Sequence, residues 1–86
     1  MKISEIQIIP IKPNNGLVAF ASIVLADSLY LDSIGFYTRI DGSGYRITYP
    51  TKKIGDRNIS IYYPINKKTS KAIEKTIITE ARKMFG

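Results

Sequence analysis

Eight basic side chains in the second half of the sequence carry its clearest chemical signal. Lys52 and Lys53 are adjacent, Arg57 follows within one short polar stretch, and Lys67, Lys68, Lys71, Lys75 and Arg82 share a single segment. Ammonium and guanidinium groups gathered this way neutralise phosphate, and the commonest partner of such a surface is a polyanion, nucleic acid first. The gathering is not a by-product of composition. Residues 1–45 hold three basic side chains (Lys2, Lys12, Arg39) against four acidic ones, whereas residues 46–86 hold ten against three. Surplus Lys serving only solubility would spread the formal net charge of +6 evenly along the chain.

Other chemistry is scarce. With no Cys there is neither disulfide nor thiolate, and with no His the commonest general base and metal ligand is missing. Asp27, Asp32 and Asp41 are the carboxylates that could gather as an acid/base pair or a metal site, but two of them stand beside turn signals, where Asp is common anyway. Gly42-Ser43-Gly44 has the look of a phosphate-binding turn. It lies between two strand-like stretches rather than before a helix, which makes it a hairpin turn. No catalytic residue, metal, cofactor or small-molecule substrate is therefore expected, and the chain is not read as an enzyme. Among six Tyr and three Phe, most are expected in the core or in cross-strand pairs, and Tyr62-Tyr63 is the pair best placed to stack on bases.

The elements that must position the cations are strands first and a helix last. Ile3 to Ile11 is rich in β-branched residues and precedes the turn Asn14-Asn15-Gly16. Leu17 to Ala26 is apolar on both alternating faces, and Leu29 to Ile40 continues in strand composition, with Gly35 as a bulge or a point of close approach. Asp41-Gly42-Ser43-Gly44 turns the chain into a short strand, Tyr45 to Tyr49. Thr51 to Asn58 is polar and basic and reads as a loop, and Ile59 to Tyr63 as one more short strand. From Lys67 to Phe85 the period changes, with Asn66 as N-cap. At about 100° per residue, Ile73, Ile77, Ala81 and Met84 fall within an arc of roughly 80°, and Lys68, Lys71, Lys75 and Arg82 within roughly 60° on another side, with Glu74 and Glu80 outside it. The expectation is one α+β domain over residues 1–86: a small antiparallel sheet of about five strands within 1–63, then an amphipathic C-terminal helix over 66–86.

A strand apolar on both faces needs cover on both. One terminal helix covers one face, so a second copy of the chain in a two-fold dimer is expected on the other, ahead of a sheet curled into a small barrel. Glu5 and Gln7 interrupt the first apolar stretch and Pro10 and Pro13 follow, unlike a secretion signal, and no apolar run approaches the roughly 20 residues of a membrane span. A cytoplasmic protein without a membrane partner is expected.

The run Ile47-Thr48-Tyr49-Pro50-Thr51-Lys52-Lys53, a Gly-containing loop, Tyr63-Pro64-Ile65-Asn66 and a polar helix with Lys71 and Ile73 resembles the stage V sporulation protein G (SpoVG) family of septation regulators. Upstream, Val18-Ala19-Phe20-Ala21-Ser22-Ile23 is similar to that family's Ala-Ser-Ile strand, and Asp32-Ser33-Ile34 through Asp41-Gly42 to its Asp-Ile to Asp-Gly segment. The resemblance spans almost the whole chain, and it rests on the order and spacing of the motifs. It implies a small sheet followed by a helix, a homodimer, and bacterial regulators that bind DNA, and in some members RNA, through basic residues near the sheet end and helix. Carried over, it points to Lys52 and Lys53 and to Lys67, Lys68 and Lys71. Where the family has an Arg-Asp pair before its last short strand this chain has Ile59-Ser60, so either that contact is lost or Arg57, two residues earlier, supplies it.

The leading expectation is a sequence-tolerant nucleic-acid-binding regulator, DNA ahead of RNA, that contacts phosphates through Lys52, Lys53, Arg57, Lys67, Lys68, Lys71, Lys75 and Arg82. Base-reading Arg, Asn and Gln are sparse on the basic stripe. The alternative is an interaction module for an acidic protein of the division or transcription machinery.

Overall fold

Asn15 and Gly16 both take positive φ, 51° and 90°, as a two-residue turn whose twist matches an antiparallel hairpin requires. They join β1 (Ile3–Asn14) to β2 (Leu17–Leu25) in the computed structural model, which describes residues 2–85. Met1 and Gly86, the last residue of the expected helical segment 66–86, lie outside the described residues. β3 (Leu29–Thr38) and β4 (Tyr45–Thr48) complete an antiparallel sheet in the order β1-β2-β3-β4. Neighbours in sequence are neighbours in space, and β1 and β4 remain edges, so the sheet does not close into a barrel. The β3–β4 turn forms where expected. Asp41 Oδ1 accepts the Ser43 N–H at 2.9 Å, and the Arg39 backbone is braced across the turn by Gly42 N–H (3.0 Å) and to Gly44 C=O (2.8 Å).

Residues 51–58 are not the loop their polarity indicates. β5 (Thr51–Ile54) and β6 (Arg57–Ser60) pair antiparallel as a second, two-stranded sheet, turning at Gly55 with φ 64°. The last strand is thus Arg57–Ser60 rather than Ile59 to Tyr63, and there are six strands among the described residues rather than about five. Alternating hydrophobicity marks a strand only where one face is buried, and every residue of this hairpin is exposed. Its base is tied by the Ile61 N–H to the Pro50 carbonyl at 3.0 Å.

The helix α1 (Lys67–Phe85) begins as its sequence directs: Asn66 Oδ1 accepts the Thr69 N–H at 3.1 Å. Ile73, Ile77 and Ala81 are buried against Ala19, Ala21, Ile23, Ile34 and Phe36 of the sheet. Met84, grouped with that stripe by periodicity, is 55% exposed. Phe85, itself 37% exposed, reaches the edge of the core, its ring stacking on Phe36 at 5.9 Å between centroids, while Tyr45 stacks on the same ring at 4.8 Å.

Two irregularities bend the sheet at one level of β2. Glu5 and Ile6 of β1 stand opposite Ile23 alone, and Asp32 and Ser33 of β3 opposite Ser22 alone, with Glu5 and Ser33 at positive φ. Gly35 is a close approach rather than a bulge. A Cβ there would lie 2.6 Å from Thr48 Oγ1 and 2.9 Å from the Tyr37 ring.

Candidate functional site

Helical spacing and strand register sort the eight cations into two groups. On α1, Lys71, Lys75 and Arg82 line one open surface groove of about 460 Å³ with Ile78 and Thr79, and Lys67 and Lys68 stand exposed in the first turn. Glu74 lines that groove as well, so a carboxylate sits on the edge of the stripe that angular spacing left free of acids.

The other group is on the hairpin. Directly paired residues share a face and alternate residues return to it. The register Lys52 opposite Ile59 and Ile54 opposite Arg57 therefore places Lys52, Ile54, Arg57 and Ile59 on one face, with Lys53, Asn58, Thr51 and Ser60 on the other. Lys52 and Lys53 are thus separated by the pleat. Arg57 shares both strand and face with Ile59, so its guanidinium is presented on the same side of the ribbon as the position where the resembling family carries Arg. The hairpin packs chiefly on itself, and it emerges after Pro50 and returns to Ile61, close in sequence to the helix start.

Among the described residues, none of the eight is neutralised by an ion pair. Among the described residues the salt bridges are Lys2 to Asp27 at 3.2 Å and Lys83 to Glu80 at 2.6 Å. Asp27, Asp32 and Asp41 do not gather: the described residues contain no group of three His, Cys, Asp or Glu able to hold a metal. Hydrogen bonds from the Ser43 side chain and backbone hold the Asp41 carboxyl below the usual carboxylate range, with Arg39 adding to the effect.

Tyr62 and Tyr63 divide. The Tyr62 hydroxyl donates to the Asp32 carbonyl and its ring meets Tyr49 edge-on at 6.1 Å, so the fold occupies it. Burial, with Asp32 and Tyr49 beside it, pushes the Tyr62 phenol up to about 12. Tyr63 is exposed and keeps a ring face open.

Two arginines outside the eight stand at the far end of the sheet. Arg39 and Arg46 line a concavity of about 340 Å³ with Asn15, Thr38, Ile40 and Asp41, and Arg46 lies over the Tyr37 ring at 4.4 Å. Arg39 falls in the near-neutral half of the chain, and only hairpin pairing brings it beside Arg46. Charge counting along the sequence gives no sign of it.

The sheet face away from α1 remains open. Phe20 is 38% and Tyr30 65% exposed, and with Ile9 they border a hollow of about 290 Å³ over Ser22, whose buried Oγ has no hydrogen-bond partner. Strand two is therefore apolar on both faces, as expected, and the described chain covers one of them. No described helix is long and apolar enough to cross a membrane.

Comparison with known proteins matches residues 1–83 to the family described as SpoVG. No curated protein matches the chain.

Proposed function

This chain belongs to the SpoVG family, which makes it a sporulation- or septation-related regulatory protein, and we propose that it acts by binding nucleic-acid phosphates. One observation carries the reading: eight cations stand on one helix and one exposed hairpin without an ion-pair partner among the described residues. Cations left unpaired by the described carboxylates keep their capacity to displace counterions from a phosphate backbone, and that release supplies sequence-tolerant affinity. The helix, about 28 Å long, presents Lys67, Lys68, Lys71, Lys75 and Arg82 along its length. The two-stranded ribbon adds Lys52 and Arg57 on one face and Lys53 on the other, a shape that a major groove admits. DNA is placed ahead of RNA, acting in the cytoplasm, with no catalysis, cofactor or membrane involved.

A homodimer belongs to the same reading. The open face carries exposed Phe20, Ile9 and Tyr30, and a second copy covering it would bury them and leave one basic helix on each outer side of the dimer. Exposed Ile54 and Ile59 beside Lys52 and Arg57 favour a second reading, in which the hairpin grips an acidic protein of the division or transcription machinery.

The two part in one experiment. Fluorescence anisotropy with duplex DNA, single-stranded DNA, RNA and an acidic protein control, each at several salt concentrations between roughly 50 and 200 mM, should show nucleic-acid affinity falling steeply with salt. Nucleic-acid affinity indifferent to salt, or binding to the acidic protein alone, would overturn the phosphate reading.

A further inference from the structure

Arg82 lines two grooves. On one side lies the helix groove with Lys71 and Lys75. On the other is a concavity of about 400 Å³ between the helix end and the β3–β4 turn, formed with Arg39, Gly42, Ser43, Gly44, Thr38 and Tyr45. Arg39 in turn lines the next hollow with Arg46. Five cations from three elements thus follow one another from the second turn of α1 across its last turn to the end of the sheet. Three of them, Lys71, Lys75 and Arg82, belong to the eight already described.

The middle concavity has the parts of an anion site. Two arginines far apart in sequence line one hollow, and a guanidinium group can present paired N–H donors to phosphate oxygens. The Ser43 hydroxyl is engaged by the Asp41 carboxylate, so the two arginines are the donors this hollow offers. At Gly42 and Gly44 a Cβ would meet nothing within 4 Å, so the space before the turn is open to a ligand's approach. The turn itself is preset. Arg39 is braced by two backbone hydrogen bonds, and Asp41 is occupied by the Ser43 N–H. Asp41 lines the neighbouring hollow rather than this one. The C-terminal end of the helix dipole opposes an anion here, and Arg82 and Lys83 in the last turn offset it, although Lys83 is engaged by Glu80.

We propose that Arg39 and Arg82, which line the hollow at the β3–β4 turn, form a binding site for one backbone phosphate, and that the nucleic acid runs from the basic groove of α1 over the helix end onto that turn. The inference rests on the phosphate reading above. It differs in its residues, because Arg39 and the turn lie outside the eight cations named there.

The test uses the full chain and duplex DNA by anisotropy across salt. Arg39→Gln and Arg82→Gln should each weaken binding by about tenfold. The double variant should make the slope of log affinity against log salt shallower by about one unit rather than two, because both side chains neutralise the same phosphate. Lys2→Gln, at the opposite end of the sheet, should bind as wild type does. Backbone amide NMR of the wild type titrated with inorganic phosphate should move the resonances of Gly42 to Gly44, and the double variant should lose that response. A wild type that binds duplex with a salt-dependent slope while the double variant binds equally well overturns this site alone, as does a turn whose amides ignore phosphate. A wild type that does not bind nucleic acid overturns the parent reading instead. Unchanged melting temperatures in both single variants separate lost contact from lost fold.

Discussion

Replacing Ile77 by Ala removes the side chain at the centre of the stripe that fastens α1 to the sheet. Ile77 is fully buried, and its neighbours in the core include Ile73, Ala81 and the sheet residues Ile23 and Phe36. The change deletes three buried methyl or methylene groups at about 0.8 kcal/mol each, and the rigid sheet behind the helix cannot collapse fully into the space. The expected loss is about 2 to 4 kcal/mol. A chain of 86 residues has a stability on the order of 4 to 13 kcal/mol, so this is a large share of the whole. At about 4 to 8 °C per kcal/mol the melting temperature should fall by roughly 10 to 30 °C. Urea and thermal unfolding followed by far-ultraviolet circular dichroism measure it, with wild type and variant at equal protomer concentration, because any dimerisation makes the midpoint concentration-dependent. Met84→Ala supplies the contrast. Periodicity put Met84 on the same stripe, but its exposure predicts a loss below about 0.5 kcal/mol. An Ile77→Ala loss below about 0.5 kcal/mol would mean that the helix is not docked through this residue.

Four further outcomes are expected. Charge reversal of Lys68, Lys71 and Lys75 should abolish most duplex affinity while leaving the melting temperature nearly unchanged, since exposed Lys adds little to stability; a triple variant that binds like wild type refutes the role of the helix. With about four phosphates neutralised, wild-type log affinity should fall against log salt with a slope near −3.6, and Lys52→Ala with Lys53→Ala should make it shallower by up to about two units. Phe20→Glu, on the open face, should leave the fold intact and reduce the solution mass to that of one chain in analytical ultracentrifugation, whereas Val18→Glu should unfold the chain because Val18 packs against the core; a folded Phe20 variant that keeps a dimer mass would rule out that face as the interface. Tyr62 holds its proton more tightly in the folded than in the unfolded state, so its contribution is complete below about pH 10 and is lost as pH rises through about 12; Tyr62→Phe should flatten the alkaline end of the stability curve, and an unchanged curve would contradict the shift.

Local chemistry determined much of this protein from the sequence alone. Asn15-Gly16 and Asp41-Gly42-Ser43-Gly44 specify turns because few other residues accept positive φ there, and Asn66 starts the helix because its side chain satisfies an amide that the helix leaves unpaired. The helix stripe was legible in Ile73, Ile77 and Ala81, because a 3.6-residue period places them on one side whatever they pack against. The eight cations were legible as composition, since charge needs no fold to be counted. The β5–β6 hairpin was not, because a ribbon exposed on both faces has no alternation to show, and its strands exist through pairing with each other. Pairing alone decides that Lys52 faces with Arg57 and away from Lys53. That Phe85 rather than Met84 meets the Phe36 ring depends on where that ring lies, which no helical period contains. The meeting of Arg39 with Arg82 was equally hidden. Two residues so far apart in the chain share a groove only because β3 turns back at the end of the sheet where α1 finishes, and sequence distance says nothing of that until the sheet and helix are packed.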